Sequence, residues 1–282
     1  MEVEAFQILD PESFYRKFVS NGARPDGRGL HDTRETLVQT GVLSADHVAS
    51  SAMVVIGGTK VVAGVSLLVK SPALASPTWG DLEASLHLTP LCSTAFSTGP
   101  RQPLEAQVIE HQVCEAILGS SAFDRSQLCI KESMAVWKVV VDIICLGYDG
   151  NVADAAMIAT VACLKSLSLP ETIINDKNEV LLVGGSNRSN SSNSSSRKGS
   201  GTPLRLNHLP LPFTCGLFGT SIVADPTLQE EGLLDSVVTV VQAEDGQICG
   251  VYKPGGAVLL GRQLQQVLAL GRSRVKALLA AL

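Results

Sequence analysis

Apolar positions in this chain switch period several times, and the switches divide it into elements. Phe14 and Phe18 fall four apart behind Asp10-Pro11-Glu12. An acid at the N-cap, a proline at the first helical position and an acid in the first turn predict a helix that ends at Gly22. Arg24-Pro25-Asp26-Gly27-Arg28 follows and reads as a turn. The period then drops to two. Thr36–Leu43, Ala49–Ile56 and Lys60–Val69 are rich in β-branched residues, and Gly57-Gly58 predicts a hairpin between the last two. Pro72, Pro77, Pro90 and Pro100 make residues 71–101 read as one long loop. Helical spacing returns over Gln102–Leu118, where Ala106, Ile109, Val113 and Ile117 share a face and Gly119 follows. Met134–Leu146 is nearly continuous in apolar residues, as a central strand is. Tyr148-Asp149-Gly150-Asn151 turns the chain into an alanine-rich helix, Val152–Leu167, stopped before Pro170.

The pattern then breaks. Residues 184–201 hold eight Ser, four Gly, three Asn and three bases and no apolar side chain, which predicts a disordered, dispensable insertion. Strand patterning resumes in Phe213–Ala224, then in Ser236–Ala243 and Gln247–Lys253 joined across Glu244-Asp245-Gly246. A last amphipathic helix starts near Gly261, with Leu264, Val267, Leu268, Val275, Leu278 and Leu279 on one side. This order predicts an α+β fold of two sheet-plus-helix halves. The expected divisions are an N-terminal helix and arm (1–30), a first half (31–170), the insertion (184–201) and a second half (205–282), with the linker near 170–210. Lys60–Val69 and Gln247–Lys253 are expected to be edge strands in need of cover.

Composition narrows the classes. The chain has 282 residues, 45% of them hydrophobic and only 17% charged, too apolar for a disordered protein. No apolar run nears the ~18 residues of a membrane helix, and the acidic start Met1-Glu2-Val3-Glu4 predicts no signal peptide. Seven scattered cysteines with no CxxC pair predict free thiols in a reducing compartment, and no His or Cys cluster has metal-ligand spacing. The net charge of −5 is uneven: Gln247 to Leu282 carries five bases and no acid, leaving 17 bases against 27 acids elsewhere. A basic segment on an acidic body fits a nucleic-acid face or a solvated helix. With 4% aromatic residues, stacking platforms for single strands are sparse, so any RNA contact would run through phosphates.

No phosphate loop, dinucleotide fingerprint or G-x-S-x-G elbow is present, and Gly255-Gly256 is too short to replace them. Asp149 and Asp154, flanking a turn and a helix start, are expected to cap backbone N–H groups, and Glu230-Glu231 to sit in the first turn of a short helix. In order along the chain, the segments resemble the RNase PH family. Arg24-Pro25-Asp26-Gly27-Arg28 resembles its opening motif, and Asp149-Gly150-Asn151 with Asp154-Ala155 its turn-to-helix motif. Pro90-Leu91-Cys92-Ser93, Phe96 and Gly99-Pro100 resemble the family's non-catalytic branch of exosome ring subunits. So do Asp225-Pro226-Thr227 with Glu230-Glu231, and Cys249 with Lys253-Pro254-Gly255-Gly256.

The resemblance implies the RNase PH-like fold (ribosomal protein S5 domain 2-like) and a six-member hetero-oligomeric ring around a pore. It further implies cap subunits, an associated exoribonuclease and RNA in the central channel as partners. The implied work is 3′-to-5′ RNA processing and degradation, including rRNA maturation and mRNA turnover, in nucleus, nucleolus and cytoplasm. Active members place an acidic cluster after the linker and phosphate-binding arginines in the first half. Here the 45 residues between Glu179 and Asp225 contain no Asp or Glu, and beyond Arg101 the segment Glu105-Ala106-Gln107-Val108-Ile109-Glu110-His111 offers no base. Phosphoryl transfer depends on positioned charges, so the expectation is a structural subunit with no catalytic residue, cofactor or metal. The alternatives are a phosphate-dependent 3′–5′ exoribonuclease, a composite site shared with a ring neighbour, and a stand-alone RNA-binding protein. Candidate RNA contacts are Arg24 and Arg28, by position in the family motif, and Lys253, Arg272 and Arg274, by charge.

Overall fold

The structure, a computed structural model, describes residues 9–45, 47–94, 96, 103–175, 180–182 and 201–282. Helix α1 (Pro11–Ser20) begins as its sequence dictates: the Asp10 carboxylate accepts from the Ser13 amide at 3.1 Å, and Phe14 and Tyr15 are buried.

The first sheet has the order β1-β2-β3-β6-β4, with short β5 (Cys129–Lys131) beside β6. Strands β1 (Thr36–Thr40), β2 (Ser50–Ile56) and β3 (Thr59–Lys70) are antiparallel neighbours. The β2–β3 hairpin closes through Gly57, whose φ of +56° suits glycine. Strand β3 is interior, flanked by β2 and β6 (Ala135–Gly147), so it is not the edge its sequence suggested. The segment read as a loop over 71–101 contains β4 (Asp81–His87), parallel to β6. Its alternation is short but real: Leu82, Ala84 and Leu86 are buried, and Pro72, Pro77 and Pro90 bracket the strand rather than interrupt it. Helices α2 (Leu104–Gly119) and α3 (Val152–Lys165) cover one face.

Helix α3 is buried on all sides because it packs against β2 and β3 of the first sheet and β11 of the second. The second sheet runs β12-β11-β13-β14. Phe213–Ala224, expected as one strand, is two: β11 (Leu211–Phe218) and β12 (Ser221–Ala224), folded about Gly219 at φ +60°. Strand β13 (Ser236–Gln242) pairs with β14 (Ile248–Tyr252), and the one-turn helix α4 (Leu228–Glu231) links β12 to β13. The last helix, α5 (Gly261–Ala281), covers the opposite face, with Val267 against Phe213, Cys215, Val238 and Val240. Leu211, Val241, Val275 and Leu278 join the first half's core, so the halves share one interior.

Between the halves, β7 (Ser168–Pro170) pairs with β10 (Gly201–Pro203), and β8 (Thr172–Ile174) pairs with β9 (Val180–Leu182). Of the predicted insertion, residues 184–200 lie outside the described residues. Gly201 belongs to β10 instead, where a Cβ would stand 2.6 Å from the Leu169 carbonyl oxygen. Among the described residues no helix is long and apolar enough to cross a membrane, and all seven cysteines are free.

Candidate functional site

The chemistry-bearing residues converge on the seam where α3 meets β11 and the segment 224–231. Three pieces of backbone bring them there. Gly150, at φ +75°, lets the second half approach so closely that a Cβ would lie 2.5 Å from the Leu228 amide nitrogen. Asn151 and Asp225 both adopt left-handed conformations, at φ +53° and +46°, which Asn and Asp tolerate better than most residues. The Thr59 hydroxyl donates to the Gly150 carbonyl at 2.6 Å and ties the β2–β3 hairpin to the same turn.

Asp225 is the centre. Arg34 donates to it from its backbone amide (2.8 Å), Nε (2.9 Å) and Nη2 (2.8 Å). Asn151 Nδ2 adds a bond of 2.7 Å and also reaches Asp154 at 3.0 Å. Burial would push the Asp225 carboxyl up, but the hydrogen bonds and charge of Arg34 outweigh it and hold it at about 2. Asp154 was expected to cap α3. Instead it points across to β11, accepting from the Thr214 hydroxyl (2.6 Å) and amide (3.0 Å), while Thr214 meets the Thr239 hydroxyl at 2.8 Å. Complete burial raises its pKa against those bonds. The cap position of α3 belongs to Asn151, without a side-chain cap bond. Asp149 turns to Arg34, its carboxylate 3.4 Å from Nη1 and its carbonyl accepting at 2.7 Å.

A second cluster lies alongside. Arg24 is buried and forms a two-pronged pair with Glu230, with Nε to Oε1 at 2.8 Å and Nη2 to Oε2. It also donates to the carbonyls of Ala224 (2.7 Å) and Asp225 (3.1 Å). Glu230 keeps its expected place in the first turn of α4 and accepts from the Thr227 amide at 2.8 Å. Glu231 accepts from the Asn151 amide (2.6 Å) and the Tyr148 hydroxyl (3.2 Å); burial raises its pKa against both bonds.

Of the five candidate RNA contacts, these contacts exclude Arg24 from the surface. Arg274 is buried as well and donates to the Thr33 hydroxyl (3.0 Å), the Arg34 carbonyl (3.3 Å) and the Thr36 hydroxyl, tying α5 to the entry of β1. Arg28 is half-buried, paired with Asp26 at 2.6 Å and near Asp225 at 3.5 Å. Lys253 and Arg272 are exposed and have no carboxylate partner among the described residues; Lys253 donates to the Gly255 carbonyl at 2.6 Å. Arg101 lies outside the described residues.

Sequence reasoning missed Arg34, Thr214 and Thr239. Their partners lie far away in the chain, 191 residues for Arg34 and Asp225, and no local pattern marks them. The acid-free window before Asp225 also misled in one respect. Four acids do gather at the junction of the halves: Asp225, Glu230 and Glu231 just past the window, and Asp154 from before it.

This geometry can be set against known proteins. The model of the 3′ exoribonuclease family, RNase PH type, matches in two parts: domain 1 over residues 32–170 and domain 2 over residues 208–274. The chain belongs to the RNase PH family. Within it, the chain is 31% identical over 259 residues to exosome complex component Rrp42 of Methanocella arvoryzae, covering 92% of this chain and 90% of the relative. It is 28% identical over 269 residues to exosome complex component rrp43 of Schizosaccharomyces pombe, covering 95% and 94%. Its RNase PH fold superposes on a chain of the Archaeoglobus fulgidus exosome solved with RNA bound to the active site, with TM-score 0.78 and 25% identity over 95% of this chain and 96% of that one. A chain of an archaeal exosome core shares the fold, with TM-score 0.74 and 23% identity over 98% and 97%.

Proposed function

We propose that this RNase PH-family chain is a structural subunit of the RNA exosome's core ring, with no phosphorolytic centre of its own. One observation carries the reading. Three of the acids at the junction of the halves are turned inward, Asp154, Asp225 and Glu230 being 2%, 2% and 6% exposed, and the less buried Glu231 and Asp149 are also bonded within the protein, to Asn151 and Tyr148 and to Arg34. A carboxylate that assists phosphate attack on an RNA 3′ end must reach the reacting atoms. Here the same residue types weld two half-domains together.

In this reading the chain closes a six-member ring of RNase PH-like paralogues, docks cap subunits and an associated exoribonuclease, and passes RNA along the pore. It serves 3′-to-5′ processing and degradation, including rRNA maturation and mRNA turnover, in nucleus, nucleolus and cytoplasm. The organisation that fits is an arm (1–30), two RNase PH halves (31–170 and 205–282) and the Ser/Asn-rich insertion. Of the five candidate RNA contacts, Lys253 and Arg272 are the two exposed enough to meet RNA phosphates, with Arg28 at the margin. The role calls for no metal or cofactor.

Co-expression with RNase PH paralogues and cap proteins of the same organism tests the assignment. The expected product is one hetero-oligomer of ring mass, in which this chain melts higher than when expressed alone, because a partner that binds only the folded state stabilises it. A stable homo-oligomer, or a monomer whose melting temperature ignores its paralogues, overturns the reading.

A further inference from the structure

The two sheets have four edge strands, and two of them, β4 and β12, make a backbone hydrogen bond outside their sheet among the described residues. The Glu110 carboxylate of α2 accepts from the Leu86 amide of β4 at 2.6 Å. The Ala224 amide of β12 donates to the Leu30 carbonyl at 2.8 Å. On β1, Arg274 reaches only the Thr36 hydroxyl, a side-chain bond that leaves the strand's backbone edge open. Among the described residues strand β14 is open like β1: its sheet neighbour is β13, no hydrogen bond reaches its backbone from outside that sheet, and of the two it alone has an apolar groove beside it. Natural edges are usually blunted by charge, proline or a short bulged strand. Strand β14, Ile248-Cys249-Gly250-Val251-Tyr252, is short and bulges at Cys249, but it carries no charge or proline, its last three residues pair regularly with Thr239–Val241, and Ile248 and Val251 are 47% and 48% exposed.

A groove of about 510 Å³ runs between β14 and α2, lined by Leu104, Val108, Val251, Tyr252, Lys253 and Pro254 among others. Val251 and Tyr252 are consecutive, so their side chains leave opposite faces of the sheet. Val251 is in register with Val240, on the α5 face, and Tyr252 with Thr239, on the α3 face. Both line the groove. It therefore straddles the edge of the strand, where the unpaired N–H and C=O groups stand, rather than either face.

We propose that this edge takes an extended, apolar segment of a partner chain as a fifth strand of the second sheet, its side chains entering the groove beside α2. This inference rests on the reading of the chain as a subunit of a larger assembly. A row of unpaired backbone donors and acceptors is matched by another extended backbone, and the apolar lining selects apolar side chains at alternate positions. RNA is a poor match, because the lining carries Lys253 against Glu115 and so gives phosphates no net positive charge.

The test uses the full chain, free and in the complex co-purified with its co-expressed ring partners. Amide exchange over Ile248–Tyr252 is expected to slow at least tenfold in the complex. A photoreactive phenylalanine replacing Val251 is expected to crosslink to one contiguous segment of another subunit. Val251→Lys, at a half-exposed site that tolerates charge, is expected to weaken entry at least tenfold, whereas Val258→Lys, 83% exposed and outside the groove lining, leaves entry unchanged. Unchanged exchange at β14 in a complete complex, a crosslink to RNA or to a second copy, or equal behaviour of the two lysine variants overturns strand addition. If no complex forms, the measured mass shows it first, and the ring-subunit reading falls along with the strand pairing.

Discussion

Arg34 and Arg272 carry the same charge and lie at opposite extremes of burial. Arg34 sits in the seam between the halves, with Asp225, Asp149 and two further carbonyls, of Gly150 and Pro226, around its guanidinium. Arg272 sits on the outer side of α5, exposed, with no carboxylate partner among the described residues. What separates them is an acid brought in from the other half of the chain. Buried ion pairs add little net stability over an apolar replacement, but breaking one leaves a charge that water cannot reach. The seam therefore enforces the mutual fit of the halves, while the outer cations remain available for a partner.

Removing one side of the seam has the largest expected effect. Arg34→Ala leaves Asp225 buried without its main partner and is expected to cost about 3–5 kcal/mol. Denaturant unfolding measures it, and a cycle with Asp225→Asn should recover part of the loss, since the two residues are coupled. If Arg34→Ala is no more damaging than Arg272→Ala, the contrast collapses.

Acid should attack the seam next. The Asp225 pKa is held at about 2, below its ordinary 3.8. A depressed folded value gives stability that is complete above the unfolded value and lost as pH falls through the folded one. Roughly 2 kcal/mol should therefore disappear between about pH 4 and pH 2. Asp154 and Glu231, both raised by burial, act with the opposite sign and soften the loss. Stability measured against pH should show a shallower acid limb in Asp225→Asn.

Gly150→Ala sharpens the geometric side of the comparison. It sets a Cβ against the Leu228 amide in a left-handed backbone and is expected to cost more than about 1 kcal/mol in thermal or denaturant unfolding. The smallest stability effects belong to Lys253→Ala and Arg272→Ala, each within about 0.5 kcal/mol. Their effect appears instead in RNA binding by the assembled complex, where each substitution should lower the dependence of affinity on salt by about one counterion. Unchanged salt dependence removes these two from the RNA path.

The contrast also explains what could be read from the chain. Local signals were sound where local physics decides. Asp10-Pro11 starts α1, Gly57-Gly58 turns the β2–β3 hairpin, and the period of Leu264 to Leu279 lies along α5. Proline density concealed β4, whose three buried positions are too few to outweigh four prolines in 71–101. Gly219 and Thr220 were too brief a signal to split β11 from β12. Most of the seam was illegible. Asp149, Gly150 and Asn151 stood out as a motif, and Asp225 as a turn, but nothing in either says that they face each other. Arg24 and Arg274 read as surface cations because their partners, Glu230 and the 33–36 segment, lie more than 200 residues away.

The most direct test of the account is an assay of the purified chain with 3′-extended RNA and inorganic phosphate, beside the assembled complex. The seam predicts that the chain alone releases no nucleoside diphosphate at any phosphate concentration. Phosphate-dependent shortening of RNA by the isolated chain, abolished by Asp225→Asn in a variant that still folds, would contradict it.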